Sequence, residues 1–448
     1  MKKYDNYKDS GIEWIGDLPS NWQIKRIKHT TYVKGRIGWQ GMRSDEFLES
    51  SDSYVVTGTD FMKGLVKWDT CYQVPLERYE EDPFIQLREG DLLITKDGTI
   101  GKIAVVKDIP KIATLNSGVF LTRPLFDSYV PEFMYWILYS EVFKTFYDYN
   151  KSGSTIQHLY QNVFNEFKFP LPTIKEQQAI VNYLDQKTTQ IDDLSAKKKL
   201  LIQLLEEERV AVINQAVTKG LDPTVPMKDS GIEWLGEIPE HWGRARIKTL
   251  VKIKVCDGPH ETPEWKEDGI PFISAEAIKG NQIDLNFKRG YISEEQHQEY
   301  CKKSKVQKGD ILFCKSGSTT GKSALVEIDN EFGIWSPLAI IRVDERKISN
   351  RYMFQSIQSS LFRNQVETSW TFGTQPNIGM GALENLWIAI PPLNEQESID
   401  EYLISELKNF DIIIAKTQQE IELLKEYKTA LISEVVTGKV DVRNEKLS

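Results

Sequence analysis

A glycine-containing turn that ends in a lysine occurs twice in the sequence, and its residue types suggest phosphate binding. It reads Gly98-Thr-Ile-Gly-Lys-Ile103 in the first half of the chain and Ser316-Gly-Ser-Thr-Thr-Gly-Lys-Ser323 in the second. A nucleotide-binding P-loop needs a glycine where Ser316 stands, and Gly317 is one residue too close. We therefore predict tight β-turns whose amides and lysines contact nucleic-acid phosphates. A hairpin turn with no ligand remains the alternative.

Other polar loops occur at matching places in the two halves. The loop from Lys34 to Gly41 offers arginine and glutamine, which pair with guanine and adenine through two hydrogen bonds each. For each loop, a solvent-exposed turn without a ligand is the alternative. The predicted DNA-contacting residues are Lys34, Arg36, Gln40, Lys96, Thr99, Lys102, Ser154, Thr155, Gln157, His158, Lys254, His260, Thr262, Lys315, Ser318, Thr319, Lys322, Thr374 and Gln375.

The sequence offers no set of residues typical of catalysis. Pro391-Pro392 is followed by Leu393 rather than by the aromatic residue that stacks on a flipped base in methyltransferases. The chain contains no Pro-Asp dipeptide, so the usual nuclease metal motif is not visible, and its five histidines and four cysteines lack metal-ligand spacing. We therefore predict neither a catalytic residue nor a metal ligand.

The chain is an internal repeat. Residues 8–28 read KDSGIEWIGDLPSNWQIKRIK and residues 228–248 read KDSGIEWLGEIPEHWGRARIK. Similarity returns at the two glycine turns, at 172–194 against 391–413, and at the Val-Thr tails that close both copies, whereas residues 29–86 and 249–305 are unlike. The pattern predicts one scaffold that carries two different recognition surfaces. An old duplication whose loops have drifted is the alternative.

Each copy has a mixed part and a helical part. Short β-branched runs bounded by glycine, aspartate or proline predict strands, among which helical stretches intrude, so we predict an α+β fold. The predicted segments are two α/β globular domains at 20–172 and 240–391, helical segments at 173–220 and, with the tail, 392–448, and repeated lead-in segments at 1–19 and 221–239.

The helical segments follow a heptad pattern, which predicts a coiled coil, with ordinary core helices as the alternative. The predicted seam residues are Ile180, Leu184, Ile191, Leu194, Leu201, Leu205 and Val212, and, in the second copy, Ile399, Leu403, Phe410, Ile413, Leu424 and Leu431.

Charge is unevenly placed along the chain. The net charge is −9, which taken alone argues against a nucleic-acid partner. However, residues 20–170 carry 18 basic and 19 acidic side chains, and residues 240–391 carry 20 and 19. The globular parts are nearly neutral and can present a basic face. Because there is no apolar run of membrane-spanning length, we expect a soluble, cytoplasmic protein that does not bind membranes.

Taken together, these motifs resemble a specificity subunit of a type I restriction-modification system. The resemblance covers nearly the whole chain and rests on the repeated IEWIGDLPSNW and IEWLGEIPEHW segments, the two glycine turns, the LPTIKEQQAI and IPPLNEQESI segments, and the helix after each.

The resemblance implies that each globular part is a target-recognition domain for one half of a split, asymmetric double-stranded DNA site. It also implies that the two helices pair as an antiparallel spacer, and that two modification subunits and the restriction (motor-nuclease) subunits join the chain. S-adenosylmethionine, ATP and Mg²⁺ would then lie on those partners, with no cofactor on this non-catalytic chain. The family offers no simple residue code, so the contact residues above rest on the loops alone. Two alternatives remain, a coiled-coil adaptor that binds only proteins and a two-domain enzyme.

Overall fold

The computed structural model describes residues 2–36, 41–150, 158–370 and 375–445. The chain divides into two compact units. The first unit comprises residues 1–198 and 419–448, and the second unit comprises residues 199–418. Each boundary falls inside a long helix, so each unit contains part of both long helices, and these parts pack within their own unit.

The first unit contains the first thirteen strands of the described chain. They are β1 (Tyr7–Asp9), β2 (Asp17–Pro19), β3 (Gln23–Arg26), β4 (Thr31–Gly35), β5 (Ser53–Val56), β6 (Phe61–Met62), β7 (Leu65–Val66), β8 (Tyr72–Val74), β9 (Leu92–Thr95), β10 (Ile103–Val105), β11 (Ala113–Leu115), β12 (Val119–Pro124) and β13 (Lys168–Leu171). Its helices are α1 (Ile27–Thr30), α2 (Leu76–Glu80), α3 (Pro131–Tyr139), α4 (Glu141–Asn150), α5 (Gln161–Asn165) and the beginning of α6 (Ile174–Lys219).

The second unit repeats this order of elements. Its strands are β14 (Met227–Asp229), β15 (Glu237–Pro239), β16 (Gly243–Arg246), β17 (Cys256–Asp257), β18 (Ile270–Ile273), β19 (Ile278–Lys279), β20 (Gln282–Ile283), β21 (Gly290–Ile292), β22 (Ile311–Cys314), β23 (Ser323–Leu325), β24 (Gly333–Ile334), β25 (Leu338–Ile341) and β26 (Trp387–Ile390). Its helices are α7 (Ile247–Leu250), α8 (Glu294–Ser304), α9 (Asn350–Gln358), α10 (Ser360–Thr368), α11 (Met380–Glu384) and the first part of α12 (Leu393–Val436).

The two units share one sheet topology. The main sheet of the first unit has the order β4-β12-β9-β10-β7-β6, and that of the second has β17-β25-β22-β23, so four strands correspond one to one. The smaller sheets, β11-β5-β8 and β24-β18-β21, also correspond, each with one parallel and one antiparallel pair. The predicted α+β class and the internal repeat are therefore confirmed.

The residues that recur in the sequence make the same hydrogen bonds in both units. The indole of Trp22 donates to Glu176 at the start of α6, and that of Trp242 donates to Glu395 at the start of α12. Both indoles are buried. A buried indole N–H needs a hydrogen-bond acceptor, and in both units the glutamate supplies it. The repeated segments therefore dock onto the long helices.

A buried ion pair is also repeated in the two sheets. Arg123 on β12 forms two hydrogen bonds with Asp91, and Arg342, which follows β25, does the same with Asp310. The two carboxylates are almost wholly buried. Each pair connects the strand to the turn that precedes β9 or β22, the strand from which the predicted phosphate-binding turn emerges.

Two long helices are present, as the sequence predicted. Helix α6 has 46 residues and α12 has 44, and neither contains glycine or proline. Thr173 and Glu176 form a reciprocal capping box at the start of α6. Gly220 follows α6 with a positive φ, and a Cβ at that position would lie 3.2 Å from Trp242. A side chain is thus disfavoured where the helix ends against the repeated segment.

Within each unit the helix segments run antiparallel. In the first unit Asp192 pairs with Lys428, and Lys198 pairs with Glu420, so rising numbers on α6 meet falling numbers on α12. In the second unit Arg209 lies 3.9 Å from Asp411. The predicted antiparallel arrangement is confirmed for these segments.

The heptad register differs from the predicted one in the middle of the helices. Leu194, Leu201 and Ile413 are 43%, 42% and 45% exposed, so their placement in the seam was wrong. The inward positions are taken by residues such as Ser195 and Ile202, one place further along. A step of four residues from Ile191 instead of three moves the seam by one position, and an apolar pattern with leucines at adjacent sites allows both.

In the described part of the chain, no helix is both long enough and apolar enough to cross a bilayer.

Candidate nucleic-acid interface

The two glycine turns are the hairpins between β9 and β10 and between β22 and β23. In the first, the hydroxyl of Thr95 donates to the Thr99 carbonyl at 2.6 Å and accepts from the Lys102 amide at 2.9 Å. In the second, the Cys314 amide donates to the Lys322 carbonyl at 2.8 Å. Each hairpin contains two glycines with positive φ, which explains why glycine is required. The predicted tight turn is confirmed, and its contact with phosphate stays a prediction.

Each hairpin turn contacts the end of a predicted polar loop (152–158 in the first unit, 371–377 in the second), which is the part of the loop that the structure describes. In the first unit Leu159 donates to the Lys96 carbonyl, and Asp97 contacts His158. In the second unit Ile378 donates to the Lys315 carbonyl at 2.9 Å, and Gly317 donates to Pro376 at 3.0 Å. The structure thus brings together two candidate segments that lie some 60 residues apart in sequence.

The turns present exposed lysines and short polar side chains. Lys102 and Lys322 are exposed, as are Thr99 and Ser318. An ammonium group in this position can bind a phosphate as a point charge, and the neighbouring hydroxyl can donate a hydrogen bond. These four residues remain candidates for DNA contacts.

Two lysines, one in the hairpin turn and one on a nearby strand, lie over aromatic rings in the first unit. Lys96 has its ammonium 5.1 Å from the centre of the Phe120 ring. Lys34, on the edge strand β4, lies 5.6 Å from the centre of the Phe84 ring. A cation over a ring retains its charge, so both remain candidates for phosphate contacts.

Arg36 does not have the predicted base-reading role. Its side chain is 1% exposed. The guanidinium donates to the carbonyls of Leu115 and Arg78, to the Thr114 hydroxyl, and to Glu81 at 2.9 Å. Burial lowers its pKa, and the Glu81 carboxylate opposes that effect. Arg36 is therefore a structural residue that connects α2 to β11.

The structure also contradicts the predicted role of Lys315. Its side chain is only 11% exposed, and its ammonium lies 3.2 Å from the buried carboxylate of Asp257. That carboxylate also accepts from His260 at 3.0 Å and from Lys303 at 2.6 Å. His260 was predicted from the loop sequence, whereas Asp257 and Lys303 were missed. No local sequence signal reveals them, because residues 257, 303 and 315 meet only through the fold.

The remaining candidates are placed as follows. Lys254, Thr262 and Gln375 are exposed, and the half-buried Thr319 has its hydroxyl 3.2 Å from the Cys314 sulfur. The predicted contact residues Gln40, Ser154, Thr155, Gln157 and Thr374 lie outside the described residues. Among the described residues, no group of three His, Cys, Asp or Glu side chains could hold a metal ion.

Comparison with known protein families now identifies the class of this protein. The family described as "Type I restriction modification DNA specificity domain" matches the chain twice, over residues 19–204 and 239–423. The two matches cover most of the sequence, once for each copy of the repeat. The chain therefore belongs to this family, as a specificity subunit of a type I restriction-modification system that is not itself an enzyme.

Individual relatives agree with this assignment. The specificity subunit of the type I restriction enzyme MjaVIII from Methanocaldococcus jannaschii is 24% identical over 448 residues, which is 98% of each chain. The EcoBI specificity subunit of Escherichia coli is 26% identical over 364 residues, covering 80% of this chain and 74% of the relative.

Two solved structures share the fold. One, from work on complex assembly and conformational transition of the type I R-M system, aligns with a TM-score of 0.70 at 17% identity over 94% of this chain and 99% of the other. The HsdS subunit from Thermoanaerobacter tengcongensis aligns with a TM-score of 0.56 at 15% identity, over 94% and 98%.

Proposed function

We propose that this chain reads an asymmetric, bipartite double-stranded DNA site, with one unit for each half-site. The observation that carries the proposal is the repetition of one hairpin turn on one sheet topology, surrounded by segments that differ between the units. A feature that both units share suits what both half-sites share, which is the phosphate backbone. The differing segments suit the base edges, which carry sequence information.

The chain supplies the specificity, and partner subunits supply the chemistry. The proposed partners are two modification subunits, which bind S-adenosylmethionine and methylate adenine, and restriction subunits, which use ATP and Mg²⁺. We place the complex in the cytoplasm, together with the DNA that it reads.

Exposed apolar side chains on the long helices support docking of such partners. In the second unit Leu200, Leu204 and Ile412 are 52%, 51% and 42% exposed, and in the first unit Leu423 is 54% exposed. Apolar groups on an otherwise charged helix surface are typical of a face that a partner covers. Charged replacements at Leu200 and Leu204 should reduce copurification of the modification subunit and leave the helix content unchanged.

Methylation mapping tests the proposed function. The chain and its modification subunit would be coexpressed in a host without DNA methylation, and the methylated adenines would be mapped across the genome. We expect one interrupted motif with two unlike halves. Replacing residues 20–170 by the same region of a relative should alter one half of the motif and leave the other intact. An adaptor that binds only proteins predicts no motif at all.

The helices are proposed to set the gap between the half-sites. Because the seam pairs α6 with α12, one helical turn must be added to both helices at facing positions, for instance after Lys198 and after Gln418. Each turn adds about 5.4 Å along the helix, and DNA rises 3.4 Å per base pair. The gap in the mapped motif should grow by about one or two base pairs, with the two half-sites unchanged. An altered half-site with the original gap would contradict the spacer role.

A further inference from the structure

One buried carboxylate in the second unit collects three basic side chains beside the hairpin turn. Asp257 has a side chain that is 1% exposed. Its two oxygens accept from Lys303 at 2.6 Å, from His260 at 3.0 Å and from Lys315 at 3.2 Å. Lys315 is enclosed, whereas Lys303 and His260 are 54% and 69% exposed. The cluster therefore has an acidic centre and a basic outer surface.

The backbone around this carboxylate is held in place. Asp257 is the last residue of β17 and pairs with Ala339 on β25. The next residue, Gly258, passes so close to β24 that a Cβ there would lie 2.1 Å from the carbonyl oxygen of Ile334. No other residue fits at 258 without a backbone shift. The position of the carboxylate is thus determined by the sheet, while Lys303 comes from the last turn of α8.

The first unit has a different pair of residues at the corresponding position. Phe120 and Ala339 are equivalent because each lies opposite the matching residue of the central strand, Ile94 or Phe313. Phe120 pairs with Gly35, where a Cβ would lie 2.9 Å from the Phe120 ring. The first unit thus has a glycine and a large ring where the second unit has Asp257 and a small alanine.

This exchange changes what the hairpin lysine contacts. In the first unit Lys96 lies over the Phe120 ring, which carries no charge that would pair with the ammonium. In the second unit the ammonium of Lys315 is paired with Asp257 and is mostly enclosed. Lys303, in a segment that differs between the two units, therefore presents an exposed positive charge that the enclosed Lys315 does not.

The charge balance of the cluster favours an anion. Burial alone raises the pKa of Asp257, but the hydrogen bonds and charges of Lys303 and Lys315 outweigh it, and the pKa lies below its usual value. The carboxylate is ionised at neutral pH and offsets one of the two lysine charges. An ammonium has three donors, of which Lys303 uses one on Asp257. The others are free to bind a second anion.

We propose that Lys303 contacts a DNA backbone phosphate in the second half-site and that Asp257 is the positioning residue which fixes Lys303 and Lys315 beside the hairpin turn. This inference rests on the proposed function. It adds to the second unit a phosphate contact that the shared hairpin does not supply. Lys303 and the hairpin residue Lys315 share the Asp257 carboxylate, and Asp257 acts only through these two lysines.

Binding of the intact complex to DNA tests this inference. The complex of the chain with its modification subunits would be titrated with a duplex that carries the mapped motif and with a shuffled duplex of equal length, at several salt concentrations. We expect Lys303→Ala to weaken binding of both duplexes by a similar factor, about threefold to tenfold, and to flatten the log–log salt slope by roughly one unit. Lys303→Arg, which keeps the charge, should restore the slope.

A matched control is available on the same helix. Lys302 is 73% exposed and is paired with Glu299 one turn earlier. Lys302→Ala should leave the affinity and the slope unchanged. Both lysines are exposed, so neither substitution should unfold α8.

Replacing single DNA phosphates by uncharged analogues locates the contact and tests the role of Asp257. Methylphosphonates would be placed one at a time along the second half-site. One position should weaken the wild type and have no further effect on Lys303→Ala. The coupling between that phosphate and Lys303 should shrink in Asp257→Asn, which loses the charge that orients the lysine.

The possible outcomes distinguish failure of this inference from failure of the proposed function. If the wild-type complex does not distinguish the two duplexes, the proposed function fails, and the inference fails with it. If the wild type does distinguish them but Lys303→Ala behaves like Lys302→Ala, the inference alone is overturned. Full coupling retained in Asp257→Asn would overturn the positioning role, since Lys303 would then find the phosphate unaided.

Discussion

The two units share the contacts that fasten the repeated segments and the central strands, and they differ beside the hairpin turn. The tryptophan–glutamate bonds and the buried arginine–aspartate pairs are the same in both. Beside the hairpin turn the units diverge, with a glycine–phenylalanine pair in one and an aspartate–alanine pair in the other. The contrast indicates that these shared contacts are constrained by folding, whereas the residues beside the hairpin turn are free to vary.

The units also differ inside their cores. Asp400 on α12 is 6% exposed and accepts from the Ser349 hydroxyl at 3.0 Å. At the matching places the first unit has Val181, which is buried, and Val130. The second unit therefore carries a polar pair where the first has apolar packing. This difference predicts unlike responses of the two units to pH.

The largest expected effect tests whether the shared tryptophans support separate cores. Trp22→Ala and Trp242→Ala should each cost about 3–5 kcal/mol of unfolding free energy, since each removes a large buried ring. Hydrogen exchange of peptides from each unit should show loss of protection in the substituted unit. Trp234, which is 38% exposed, is the control; its alanine variant should change stability by less than about 0.5 kcal/mol. Equal loss in both units would contradict independent cores.

A second test distinguishes a structural arginine from a base reader. Arg36→Ala should destabilise the first unit by about 2–4 kcal/mol, because it leaves the Thr114 hydroxyl and the Leu115 carbonyl without their buried donor. Chemical denaturation measures this loss. Lys34→Ala, at an exposed neighbouring site, should leave the stability unchanged. A stable Arg36→Ala protein with relaxed choice at one base pair would instead support the base-reading role.

Arg36 also shows which parts of the molecule the sequence could predict. Repeated motifs, glycine turns and heptads are local patterns, and they correctly indicated the two units, the hairpins and the long helices. The partners of Arg36 lie between 42 and 79 residues away along the chain, so no local pattern distinguishes it from an exposed arginine. The same holds for Asp257 and Lys303. The seam was shifted at Leu201 because the adjacent apolar residues Leu200, Leu201 and Ile202 fit more than one register, and packing chose one.

A third, smaller effect is expected from pH. Burial raises the pKa of Asp400 from 3.8 to about 6, although the Ser349 hydroxyl opposes the shift. The folded state therefore binds the proton more tightly than the unfolded state. The stability from this group is fully present below about pH 4 and is lost as the pH rises through 6.

Asp400→Asn tests this difference between the cores. The substitution should remove the contribution of this group to the pH dependence and stabilise the second unit at pH 7 by about 1–2 kcal/mol, less than the whole change in pKa implies. Denaturation at pH 4, 5, 6 and 7 measures the effect. Asp329→Asn, at an 84% exposed carboxylate, is the control. A variant that keeps the wild-type slope with pH would show that another group titrates.

The smallest effect concerns the feature that the two units share at the interface. Lys102→Ala and Lys322→Ala each remove one exposed hairpin lysine. If both lysines contact phosphate, each substitution should weaken specific and non-specific binding alike and flatten the salt slope by roughly one unit, and the double variant by two. Binding titrations of the assembled complex at several salt concentrations measure this. Lys144→Ala and Lys308→Ala remove exposed lysines that are already paired with carboxylates, and should leave the slope unchanged. Unchanged slopes for both hairpin variants would mean that the turn recurs for folding alone. A change in one unit only would show that the shared turn has kept its shape in both units but its phosphate contact in just one.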